Sequence, residues 1–205
     1  MPTYPLDFPA VKVQTSSFRL VRAVAAQASP FTGQEQVYRN QGEWWEGEIS
    51  FVATTRATAR LVQAFLAELR GKYGTFLYGD PDALALGRMG AGGTVTVNGA
   101  GQTGNTLTVD GMTTSTNNIL MAGDYFQLGT STSSRLYMAT QALNSDGAGQ
   151  GTLTFEPALR SSPADNAAVI VTSPKGLFRL SENAAQWDAD QSNIYSISLA
   201  FREAL

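Results

Sequence analysis

Two carboxylates, Glu46 and Glu48, stand two residues apart beside the paired tryptophans Trp44 and Trp45. On a strand, residues i and i+2 share a face with Cα atoms roughly 7 Å apart. Glycosidases use paired carboxylates at comparable separations, and an exposed indole beside them stacks on sugars. Those carboxylates flank the scissile bond from opposite sides, however, whereas these two stand side by side. Their spacing suits a solvated strand face or a subunit contact better than catalysis. The aspartates Asp80 with Asp82, Asp188 with Asp190, and Asp146 offer oxygens to calcium, but none falls in a loop with the ligand spacing of a calcium site. Asp beside Gly or Pro more simply supplies turn hydrogen bonds. The glycines between Gly90 and Gly104 loosely resemble a phosphate-binding loop. Strands rather than a helix follow them, which favours a hinge with hairpin turns.

The 205-residue chain contains neither histidine nor cysteine. That removes the commonest general base and metal ligand, every Ser-His-Asp or Cys-His arrangement, and any disulfide or thiolate site. No catalytic residue, cofactor or metal is expected, and the chain does not read as an enzyme. A formal net charge of −3, with scattered Lys and Arg, argues against a dedicated nucleic-acid binder. No apolar run approaches the length of a membrane helix and the first residues lack signal-peptide character, so a soluble protein is expected. With 43% hydrophobic and 15% charged residues and 20 glycines, the composition is globular and favours a β-rich chain.

The elements that position these residues centre on 42–79. Trp45, Gly47, Ile49 and Phe51 alternate with Glu46, Glu48 and Ser50, the two-residue period of a half-buried strand. Thr54 and Thr55 offer caps to a helix over 57–71, in which Leu61, Val62, Phe65, Leu66 and Leu69 form an apolar stripe. A strand at 75–78 leaves it. Before these, residues 1–10 read as a proline-rich extended arm. Alternating Tyr4, Leu6 and Phe8 suit either a groove on a neighbour or packing on the chain's own domain. Residues 11–24 have strand character, 29–33 form a loop, and 36–39 are placed to pair with the strand at Trp44.

From Leu86 the character changes. Gly87, Gly90, Gly92 and Gly93 make a joint, then short strands follow at 94–98, 106–110, 124–128, 135–140, 152–155 and 168–172, separated mostly by two-residue turn chemistry. This block reads as a small all-β barrel or sandwich. A strand at 177–180 follows. In 193–205, Tyr195, Ile197, Leu199 and Phe201 alternate with polar residues as in 44–52, so the two segments are expected to pair, with another sheet edge as the alternative. The expected organisation is a discontinuous domain, 1–86 with 173–205, interrupted by an inserted all-β domain at 87–172.

Several stretches in series resemble the distal tail proteins of long, non-contractile-tailed bacteriophages: Ser29-Pro30-Phe31-Thr32-Gly33-Gln34-Glu35-Gln36-Val37, Gln41-Gly42-Glu43-Trp44-Trp45-Glu46-Gly47-Glu48, the helix end 64–71 and the 74–81 segment. Residues 122–129, 156–160 and 176–180 continue the pattern in the same order. The resemblance implies a mainly β (β-rich α+β) fold, a tail-tube-like β-sandwich with one flanking α-helix plus the inserted β domain. It further implies a structural virion protein at the tail tip, made in the host bacterial cytoplasm and assembled as a homo-oligomer, a hexameric ring. Its partners would be the tail tube protein, the baseplate hub protein, the tape measure protein and receptor-binding proteins, with DNA passing through the lumen without specific binding. A carbohydrate-binding host-recognition module, or another tail-tube or terminator protein, is the alternative. Under the ring reading, Trp44, Trp45, Glu46, Glu48, Tyr4, Phe8, Tyr195 and Phe201 are the candidate interface residues.

Overall fold

The computed structural model describes residues 2–52, 54–84, 93–189, 191 and 194–205. The glycine joint at Gly87, Gly90 and Gly92, and Asp190, lie outside them. The chain is a β-rich α+β protein with one α-helix among the described residues.

The first sheet has six strands, in the order β1 (Leu6–Asp7), β5 (Phe76–Tyr78), β12 (Gly176–Leu180), β15 (Ser198–Glu203), β3 (Glu35–Phe51), β2 (Val13–Ala28). Its strands come from both ends of the chain. β15 runs antiparallel to β3 with Leu199 opposite Ile49 and Phe201 opposite Gly47, so the two amphipathic segments pair in phase. One face of each strand is therefore apolar, and Trp45, Ile49, Phe76, Phe178, Leu199 and Phe201 form a buried cluster. Helix α1 (Arg56–Leu69) lays Ala59, Val62, Phe65, Leu66 and Leu69 on that cluster at helical spacing. Leu61, expected in the stripe, is half exposed on the flank. Thr55 occupies the N-cap position without a side-chain cap bond, and the helix stops at Arg70 in the left-handed region (φ 52°).

The second sheet, also of six strands, runs β11 (Val169–Ile170), β8 (Tyr125–Leu128), β9 (Arg135–Ala139), β10 (Gly151–Glu156), β7 (Thr106–Met112), β6 (Gly93–Val97). A bridge between Thr96 and Ala168 nearly closes it into a barrel. Val97, Leu107, Val109, Phe126, Tyr137, Leu153 and Phe155 fill its interior, as alternation along short strands requires. The two sheets touch: Leu136 belongs to the first cluster, and its carbonyl accepts a 2.9 Å bond from the Trp45 indole N–H.

Two expectations need correction. Residues 36–39 do not pair with the strand at Trp44; they continue it. Gly42 takes no positive φ and the chain stays extended, so β3 runs through 17 residues and pairs with β2 instead, Val37 opposite Ala26 and Arg39 opposite Val24, with residues 40–42 bulged opposite Ala23. The C-terminal segment is not one strand either. It breaks at Ile197, whose side chain is buried and whose carbonyl accepts the Phe51 N–H. Tyr195 thus lies in β14 (Ile194–Ser196), opposite Thr54 of β4 (Thr54–Thr55), in a small sheet with β13 (Asp188–Ala189).

Candidate assembly surface

Beyond Arg22 and Glu43, β2 and β3 leave the body as a two-stranded ribbon. Its five rungs run from Val24–Arg39 to Ala28–Glu35, and a loop at 29–34 turns it. At the turn the Ser29 hydroxyl accepts from the N–H groups of Phe31 and Thr32, and Gly33 takes a positive φ of 69° that suits only glycine cheaply. The ribbon has no core of its own. Val24 is 48% exposed, Val37 59%, Tyr38 62% and Phe31, at the tip, 95%. Along the rungs Val24, Ala26, Ala28 and Val37 share one face with Arg39 and Glu35, while Ala25, Gln27, Gln36 and Tyr38 share the other. β15 pairs with β3 only from Glu46 to Ser50, and β2 is the last strand of its sheet. Both ribbon edges thus present open hydrogen-bonding groups among the described residues.

A buried charge network ties down the ribbon's root. Glu203, with its side chain 2% exposed, takes the guanidinium of Arg160 bidentately (Nε 3.2 Å, NH2 2.8 Å). It also accepts the backbone N–H of Trp45 at 3.1 Å, where the β15 ladder has ended. Glu43, also buried, accepts the Ala158 N–H at 3.1 Å and lies 3.5 Å from Arg22 and 3.6 Å from Arg39. Arg22 reaches on to Glu156 at 3.3 Å. These side chains come from β2, β3, β10, β15 and the turn after β10, so the network clamps the ribbon to both sheets.

The residues singled out in the sequence fall into three environments. Trp45 (3% exposed) and Phe201 (0%) are core side chains of the single chain and are corrected from interface candidates. Tyr4 and Phe8 pack on their own domain. The Tyr4 hydroxyl donates to the Glu68 carbonyl, Phe8 contacts the rings of Phe51, Phe65 and Tyr78, and Leu6–Asp7 pairs parallel with β5. The proline-rich arm is thereby part of the first sheet. Tyr195 is half-buried in the small sheet.

Trp44, Glu46 and Glu48 alone lie on the sheet face opposite α1. The Trp44 indole donates to Glu46 at 2.7 Å, Arg19 bonds the same carboxylate at 3.0 Å, and Arg202 stacks 4.2 Å above the Trp44 ring. Its hydrogen bond from Trp44, with help from Arg19 and Arg202, holds the Glu46 carboxyl below the ordinary value of 4.5 despite some desolvation. A carboxylate so held is a poor proton donor at neutral pH. Cross-strand register places Arg19, Glu46, Arg202 and Arg179 abreast, with Glu48 and Asp7 on the same face. Three cations and three anions balance there.

Asp80 and Asp146 make turns, whereas Asp188 lies in β13. Asp80 accepts the Asp82 N–H, and Asp146 accepts those of Ala148 and Gln150. No cluster of acids able to hold a metal occurs among the described residues, and no helix among them is long and apolar enough to cross a membrane. Neither protein-family models nor curated proteins match the chain. Sequence reading missed the ribbon because its Ala-rich strand lacks apolar alternation. The available signal was two extended runs flanking a Ser-Pro-Phe-Thr-Gly turn. The charge network joins residues up to 158 positions apart, and no local pattern announces it.

Proposed function

We propose that the chain is a ring-forming structural protein of a bacteriophage tail tip, a distal tail protein that joins the tail tube to the baseplate hub. The observation that carries this reading is the ribbon. A two-stranded hairpin is marginal alone in water, and exposed apolar side chains with open edges mark an association surface. A second copy supplies both the cover and the missing strands. Successive head-to-tail contacts of this kind close into a ring when the rotation allows, which removes the free edges. The resemblance implies six copies, with the first sheet lining the ring and the barrel facing outward towards adsorption proteins. The charge-balanced face at Arg19, Glu46, Arg179 and Arg202 fits a lumen that passes DNA, because phosphate affinity requires net positive charge.

Light scattering coupled to gel filtration, with electron microscopy of the purified full-length chain, tests the proposal. Rings with a central hole and a mass six times that of the chain are expected. A monomer at tens of micromolar would overturn it.

A further inference from the structure

Phe31 is the most exposed large apolar side chain among the described residues, at 95%, and it stands at the end of a ribbon held rigid at its root. Its loop, 29–34, carries no charge. At the other end of the same strand lies a groove of about 360 Å³ lined by Phe8, Val11, Val13, Leu77 and Pro174, with one cation, Lys175, and one anion, Asp80. Grooves elsewhere carry more polar linings: Glu48, Glu182 and Gln186 flank Leu66 and Leu180 in one, and Arg39, Asn40, Gln41 and Glu43 line another.

We propose that the Phe31 tip of one copy seats in the Phe8–Val13–Leu77–Pro174 groove of the next copy, a knob and socket that set the order of subunits. The inference rests on the homo-oligomer reading and names the surfaces that meet. Polarity carries it. Val13 lines the socket and Ala28 adjoins the knob, and both belong to β2. At about 3.4 Å per residue they lie roughly 50 Å apart, so a tip cannot reach its own socket. The contact is heterologous, head to tail.

Chemistry agrees with geometry. An uncharged aromatic tip enters an apolar groove without stripping water from a charge. An aromatic side chain buries roughly 150–250 Å², whereas a stable interface needs about 800 Å² on each partner. The knob therefore orients the contact, and the ribbon face that carries Val24 and Val37 must be covered at the same time. That is the surface the ring reading already uses.

The cysteine-free chain makes a clean test. Full-length protein with Thr32→Cys and Lys175→Cys is oxidised under mild conditions, run on a non-reducing gel and imaged. A ladder of disulfide-linked multiples is expected, since such a bond reports Cα approach within about 7 Å. Adding Phe31→Ala should cut the ladder roughly tenfold or more, the scale of an interface hot spot. Oligomers without a ladder, or a ladder indifferent to Phe31→Ala, overturn the knob and socket while leaving the ring reading intact. A Phe31-dependent ladder in open chains rather than rings supports the contact and removes the ring. A protein that stays monomeric and unlinked overturns both.

Discussion

Replacing Glu203 with alanine should be among the most damaging single changes to the isolated chain. Among the described residues its carboxylate is the sole counter-charge hydrogen-bonded to Arg160, whose side chain is only 14% exposed, and it is the acceptor for the Trp45 N–H. Removing one member of a buried ion pair typically costs about 3–5 kcal/mol, because the other charge stays desolvated and uncompensated. For a chain of this size each 1 kcal/mol moves Tm by about 2–4 °C, so Glu203→Ala should lower Tm by roughly 6–20 °C in calorimetry. Glu203→Gln keeps an acceptor for Trp45 and should fall between the alanine variant and the parent. Arg160→Met leaves the acid buried instead and should also destabilise. The decisive measurement is the double variant Arg160→Met with Glu203→Gln. If the two groups act as a pair, its loss is smaller than the sum of the singles by about 1 kcal/mol or more. Additive losses, or a drop below about 2 °C for Glu203→Ala, would refute the reasoning.

Four further outcomes follow from the same structure. A Cβ on Gly47 would overlap the Ser17 carbonyl oxygen and come within 2.5 Å of the Phe201 ring, so Gly47→Ala should lower Tm by about 10 °C, towards the upper end of overpacking costs. Gly42→Ala on the same strand meets the Ala23 side chain at 3.2 Å and the Trp44 ring at an ordinary 3.6 Å, and should move Tm by less than about 2 °C. Because Glu46 is held below its ordinary value of 4.5, its contribution is present above pH 4.5 and is lost as pH falls through the lower folded value; Glu46→Gln should flatten the acid side of a Tm-against-pH curve by at most about 3 °C, the scale of a half-exposed pair. Excising residues 25–38 and joining the stubs with a short turn should leave Tm nearly unchanged by calorimetry but abolish assembly by light scattering, since none of the excised side chains belongs to either core cluster.

Local pattern was enough to read most of the architecture. The two-residue period at 44–52 and in the C-terminal segment revealed strands that pair in phase, and the turn dipeptides marked the short strands of the second sheet to within about two residues. What failed was whatever tertiary context decides. Residues 36–39 looked like a separate strand pairing at Trp44, but they continue that strand across a bulge at 40–42, and the partner lies upstream in β2. Trp45 and Phe201 were legible as apolar, not as fully covered, because their cover comes from distant strands: Phe18 of β2, Tyr125 of β8, Tyr78 of β5 and Phe178 of β12. Glu43, Glu203 and Arg160 looked like ordinary surface charges. Burial makes them partners, and burial is not written in spacing.

The position of those charges bears on the ribbon itself. A strand pair leaving a sheet loses its ladder on one side and would hinge at that point. Here the loss begins at Trp45, and the Glu203 carboxylate takes the N–H that the next strand residue would have taken. Two residues on, Glu43 bonds the backbone of the turn after β10, and Arg22 on the facing strand reaches Glu156 of β10. Apolar contacts would bury as much area but slide, whereas hydrogen-bonded charges hold a direction. An arm that must meet a neighbour in one orientation loses less freedom on binding when its root is already fixed. The same clamp runs into the second sheet through Glu156 of β10 and Arg160 beyond it, so the arm's root is tied to both sheets at once.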